Sequence, residues 1–177
     1  FEGEDAIWIQ EKGSAGTMGH SGLLVQNEKG EWFFFYWGAK EGAPWYDMIL
    51  GTEAVLIFVK VDTDGLDMTN EEDIREALKQ TDVYFGEDPR SGKVTDLCYL
   101  KGDYNETYTY LQDMYNSPVR ELYSLIYRNC VQQTRWALAK SNLTIAFVST
   151  SIIPNVAYYE IYAWNALQEE LNALLTK

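Results

Sequence analysis

His20-Ser21-Gly22-Leu23-Leu24-Val25, then Asn27-Glu28-Lys29-Gly30, then Trp32-Phe33-Phe34-Phe35-Tyr36-Trp37 is the stretch that decides the fold class. Two apolar runs separated by a turn signal read as a β-hairpin, and the single histidine of the chain stands at the start of its first strand. Before the hairpin, residues 6–10 read as a strand and 11–17 as a flexible link; after it, 38–52 form a long connection containing glycine and proline. Ala54-Val55-Leu56-Ile57-Phe58-Val59-Lys60-Val61 is the most continuously apolar strand signal and is expected in the centre of the sheet. Asn70 is expected to cap a helix running to about Lys79, with Glu71, Glu72 and Asp73 complementing its dipole. Residues 95–100 read as a strand and 105–115 as a helix stopped before Pro118. The final segment, 158–175, has helical spacing at Ile161, Trp164, Leu167, Leu171 and Leu174, a stripe to be buried across the domain or against a partner. The sum is one α+β domain over residues 1–177, a mostly antiparallel sheet covered by helices.

The chemistry is sought at Cys130, one of two cysteines, in Tyr127-Arg128-Asn129-Cys130-Val131-Gln132-Gln133. Asn129 is a favoured helix N-cap, and apolar-facing positions 131, 134, 137 and 138 fit a helix against a core. The sulfur then lies in the first helical turn, where unpaired N–H groups and the helix dipole favour thiolate. A thiol nucleophile needs a base, and His20 is the one imidazole in the chain. The competing reading makes Cys130 a small buried hydrophobe and His20 a structural histidine. Cys98, in Asp96-Leu97-Cys98-Tyr99-Leu100, reads as core packing.

Four segments together resemble the circularly permuted papain-like superfamily. They are Gly19-His20-Ser21-Gly22 before a hairpin, Lys101-Gly102-Asp103-Tyr104 before a helix, Tyr123-Ser124-Leu125-Ile126-Tyr127-Arg128-Asn129-Cys130-Val131-Gln132, and Ile153-Pro154-Asn155. Relatives in that superfamily include permuted NlpC-type peptidases, lecithin:retinol-acyltransferase-like proteins and terminal domains of bacterial Rhs-repeat and other polymorphic-toxin proteins. The resemblance spans roughly residues 15–157, and its Asn-Cys segment is more specific than its Gly-His-Ser-Gly segment. It implies a histidine strand preceding the cysteine helix, with Cys130 as nucleophile and His20 as general base. It also implies a third polar residue on the strand after the histidine strand, where Tyr36 is the candidate and Glu31 the alternative under a shifted register. The implied activity is hydrolysis of an amide in a peptide, a peptidoglycan stem peptide or a protein target, through a thioester. Two alternatives stay open: a polymorphic-toxin or effector module with acyltransferase, thioesterase or deamidase activity, accompanied by an immunity or delivery partner, and a catalytically inactive domain that binds a glycan or protein.

Composition narrows the field. With 27 acidic against 14 basic residues the formal charge is −13, which argues against a nucleic-acid partner because phosphate binding needs clustered Lys and Arg. No apolar run is long enough to span a membrane. One histidine and two distant cysteines do not make a usual zinc set, and no glycine-rich phosphate loop occurs, so neither metal nor cofactor is expected. Asp62-Thr63-Asp64-Gly65-Leu66-Asp67 opens like a calcium loop but has Asp73 where glutamate is required, and reads as a solvated turn. Ser21 lacks the glycine spacing of a nucleophile elbow. The 13 tyrosines, 7 phenylalanines and 6 tryptophans are expected mostly in core and hairpin packing, with an aromatic binding cleft as the alternative. The start at Phe1 suggests a matured product or an excised domain.

Overall fold

Every residue of the first strand, β1 (Ala6–Glu11), is buried, which means that its alternating side chains meet a covered surface on both sides of the sheet. The computed structural model describes residues 4–12, 19–40, 42–81 and 96–176. The remaining strands are β2 (His20–Gln26), β3 (Trp32–Ala39), β4 (Thr52–Lys60), β5 (Asp96–Leu100) and the two-residue β6 (Leu122–Tyr123). They form one six-stranded sheet in the order β5-β1-β2-β3-β4-β6, and every neighbouring pair is antiparallel. The α+β class and the antiparallel sheet are as the sequence indicates.

Period-two alternation sends two sets of side chains in opposite directions. Trp8, Leu23, Val25, Phe35 and Trp37 build one core against helices α3 (Asn105–Asn116), α4 (Cys130–Ser141) and α6 (Pro154–Leu175), which contribute Leu111, Val131, Leu138 and Ile161. Ile7, Ile9, Leu24, Trp32 and Phe34 build a second core on the other face, closed by Ile74, Ala77 and Leu78 of α2 (Glu71–Leu78). Burying each such side chain stabilises the fold by roughly 1.5–3 kcal/mol. Helix α2 starts where its sequence says, with the Asn70 side chain accepting from the Glu72 and Asp73 N–H groups.

The central position expected for the 54–61 run falls to β2 and β3 instead. Strand β4 is next to the edge of the sheet, flanked on its outer side among the described residues by only Leu122 and Tyr123, and most of it is half-buried or exposed. Continuous apolarity does not report position, because β1 and β2 include Gln10, Glu11, His20 and Ser21 and are buried nonetheless. The 38–52 connection holds a short helix, α1 (Trp45–Leu50), and a further turn of helix, α5 (Ile145–Val148), follows α4. The final helix begins at Pro154, four residues before the expected start, with proline in its favoured first-turn position. Most of the flexible link expected at 11–17 lies outside the described residues.

Candidate active site

The β2–β3 ladder ends at the pair Leu23 and Phe35, whereas β3 continues pairing with β4 as far as Ala39 and Ala54. The β2–β3 pairing therefore stops at Leu23, and the start of helix α4 meets this end of the two strands. The backbone N–H groups of Ser21, Val131 and Cys130 itself are directed at the Cys130 sulfur. Trp37 closes the other side, donating from Nε1 to the Arg128 carbonyl at 3.2 Å.

Asn129 holds this arrangement together. Its side-chain oxygen accepts from the Gln132 N–H at 3.0 Å, while Gln132 Oε1 accepts from the Asn129 N–H at 3.0 Å, a reciprocal capping box. Both amide hydrogens of Asn129 are also used, one on the Leu125 carbonyl at 3.0 Å and one on the Ile152 carbonyl at 2.8 Å. One side chain thus starts the cysteine helix and fastens the two loops beside it.

His20 is the first residue of β2 and pairs with Glu11, the last residue of β1. Directly opposed residues project from the same face of a sheet, so a buried carboxyl group shares the surroundings of the imidazole. The Tyr36 ring lies against His20 with centroids 4.6 Å apart and planes inclined at 31°. This is ring-on-ring packing, and His20 Nε2 is buried without a hydrogen-bond partner among the described residues. Tyr36 reaches this place over Gly38, where a Cβ would stand 2.5 Å from its hydroxyl and 2.7 Å from its ring. Glu31, the alternative orienting residue, bonds Lys60 and Asn27 at the hairpin turn, at the opposite end of β2 and β3 from His20.

His20 and Cys130 line one cavity of about 280 Å³. Its walls are Ile49 from the end of α1, Leu125 and Ile126 from the loop before α4, and Ile152, Ile153 and Pro154 from the start of α6. The loops are mutually tied: the Leu125 N–H donates to the Met48 carbonyl at 2.8 Å and Ser124 Oγ to the Ile49 carbonyl at 3.1 Å. Tyr123 also lines the cavity, and its hydroxyl is held in the neutral form first by burial and then by its nearness to Cys130.

Behind the pair runs a polar chain. Ser21 Oγ donates to Gln10 Oε1 at 2.7 Å, Gln10 Nε2 donates to Asn155 Oδ1 at 2.8 Å, and Asn155 Nδ2 donates to the Lys12 carbonyl at 3.2 Å. Gly19 precedes His20 at φ +88, and a Cβ there would meet Asn155 Oδ1 at 2.2 Å. Both the left-handed conformation and the close approach demand glycine.

Burial governs the protonation of the pair. It lowers the His20 pKa to about 4 and raises the Cys130 thiol to about 11, outweighing the three N–H groups that favour thiolate. Both shifts run against the thiolate that the helix N-terminus favours, because desolvation of the buried Cys130 exceeds the helix-end contribution. A neutral imidazole is a competent proton acceptor. Cys98 is buried in β5 opposite Trp8 with its pKa raised to about 12 by burial, a core residue as read from its segment.

Sequence reasoning brought out His20, Cys130 and Tyr36, which the fold brings together, and missed Glu11, Tyr123 and the isoleucine walls. Glu11 ends an apolar strand at a point that looks like the start of a polar loop, and nothing local marks it as buried. Compared with known proteins, the chain matches no family model, no curated protein and no solved structure.

Proposed function

We propose that this protein is a cysteine hydrolase of the permuted papain-like kind, cleaving an amide or a related acyl bond through a thioester on Cys130. The supporting observation is that a helix-starting cysteine and the only histidine of the chain line one cavity. Cys130 Sγ attacks the carbonyl carbon while His20 takes the thiol proton, giving a tetrahedral oxyanion that the Cys130 backbone N–H helps to stabilise. The imidazolium then gives that proton to the leaving amine, and water, deprotonated by His20, releases the acid from the thioester. Glu11, opposite His20 on the β1–β2 ladder, is the acidic residue placed to offset the transient imidazolium.

The test is intact-mass spectrometry after incubation with activated p-nitrophenyl esters. An acyl adduct is expected on Cys130, absent in Cys130→Ala and formed much more slowly in His20→Ala. Absence of any adduct in the wild type refutes the reading. A second reading, a catalytically inactive binding domain, draws on the neutral, buried resting state of both residues, and retention of full biological activity by Cys130→Ala would establish it.

A further inference from the structure

The cavity above Cys130 offers a substrate almost no polar surface. None of its lining residues is an aspartate, glutamate, lysine or arginine. Asn129 has its amide oxygen and both amide hydrogens engaged within the protein, which leaves Cys130, His20 and Tyr123 as the polar side chains among the lining residues. The rest is aliphatic. Ile126, Ile152 and Ile153 are 43%, 43% and 42% exposed where the cavity meets solvent, so apolar surface runs from the thiol outward. A charged group entering here would be desolvated with no counter-charge, while each buried methylene is favourable.

Resting on the hydrolase reading, we propose that the acyl group this site accepts carries an uncharged apolar chain or side chain, seated over Cys130 between Ile49, Leu125, Ile126, Ile152 and Ile153. At about 30 Å³ for each water-sized group, 280 Å³ admits about nine non-hydrogen groups, the size of an octanoyl chain or an aromatic side chain. This selects against an acyl side that is charged, as in acidic or diamino-acid stem peptides.

The experiment measures the rate of Cys130 acylation by the p-nitrophenyl esters of acetate, butyrate, octanoate and hemiglutarate, with calorimetric binding of octanamide to Cys130→Ser as an independent readout. The rate is expected to rise about fourfold per added methylene up to octanoyl, with the anionic hemiglutaryl ester slower than butyryl. Ile152→Lys, at a partly exposed position that tolerates the change, is expected to invert the octanoyl to hemiglutaryl preference. Robust acylation that ignores chain length and charge, together with no octanamide binding, overturns this inference and leaves the hydrolase reading standing. No acylation by any ester removes both.

Discussion

Glu11 and His20 face each other across the β1–β2 ladder, the last residue of one strand against the first of the next. Burial first, and Glu11 after it, raise the Cys130 pKa, so removal of the Glu11 charge has two opposite consequences. Glu11→Gln is expected to lower the alkaline midpoint for iodoacetamide labelling of Cys130, since a nearby negative charge disfavouring thiolate is gone. On the proposed mechanism, the same variant is expected to slow acylation of Cys130 by about 10- to 100-fold, since the imidazolium formed during attack loses the acidic group opposite it. Labelling and acylation moving in opposite directions would assign Glu11 as a positioning residue; both falling together would mean only a disturbed fold.

Tyr36 touches His20 through its ring, and Gly38 leaves the space for that ring. Tyr36→Phe is accordingly expected to keep most of the acylation rate, within about threefold, whereas Tyr36→Ala and Gly38→Ala lose it by tenfold or more. The added methyl in Gly38→Ala meets the far end of a side chain rather than backbone, so it should move the ring with a stability loss of only about 1–2 kcal/mol. A Tyr36→Phe variant as impaired as Tyr36→Ala would show that the hydroxyl matters, contrary to the packing.

What could be read from sequence and what could not divides along physical lines. Asn129 before Cys130 and Asn70 before Glu71 are local signals, and both cap helices in the way their side chains dictate. The 27–30 turn likewise fixed the β2–β3 hairpin. Strand order is non-local: β5 pairs with β1 across about ninety residues, and no pattern within 54–61 reveals that β4 is followed in the sheet by the two-residue β6. At the site, residue types chosen for their chemistry pointed to His20 and Cys130. Glu11 joined them only through register, and the thiol's raised pKa only through the depth of burial that the two cores impose. The apolar walls come from three separate segments, each of which looks like an ordinary loop or helix end on its own.

The buried, neutral His20 makes folding sensitive to acid. Its folded pKa, about 4, lies below the ordinary histidine value of about 6.5, so the unfolded chain binds the extra proton more readily. Stability from this group is full above about pH 6.5 and is lost as pH falls from there through 4, amounting to about 2 kcal/mol between pH 7 and pH 4.5. Urea unfolding at the two pH values should show that loss in the wild type, and His20→Phe should lose about 2 kcal/mol less over the same interval. Equal pH dependence in the two proteins would mean that His20 is readily protonated in the folded state.

Asn129 permits a sharper separation of capping from fastening. Aspartate is as good an N-cap as asparagine in general, but it has no hydrogens to give to the Leu125 and Ile152 carbonyls and would set a negative charge beside them and beside the Cys130 sulfur. Asn129→Ala is expected to cost about 3 kcal/mol, combining a lost cap with two carbonyls left without their donor. Asn129→Asp should be no better despite retaining the cap, and should in addition raise the alkaline midpoint for Cys130 labelling. Thermal unfolding and pH-dependent labelling of the two variants read both effects. An Asn129→Asp variant with wild-type stability would reduce Asn129 to a helix cap and leave the cavity walls to be held by the Ser124 and Leu125 contacts with α1.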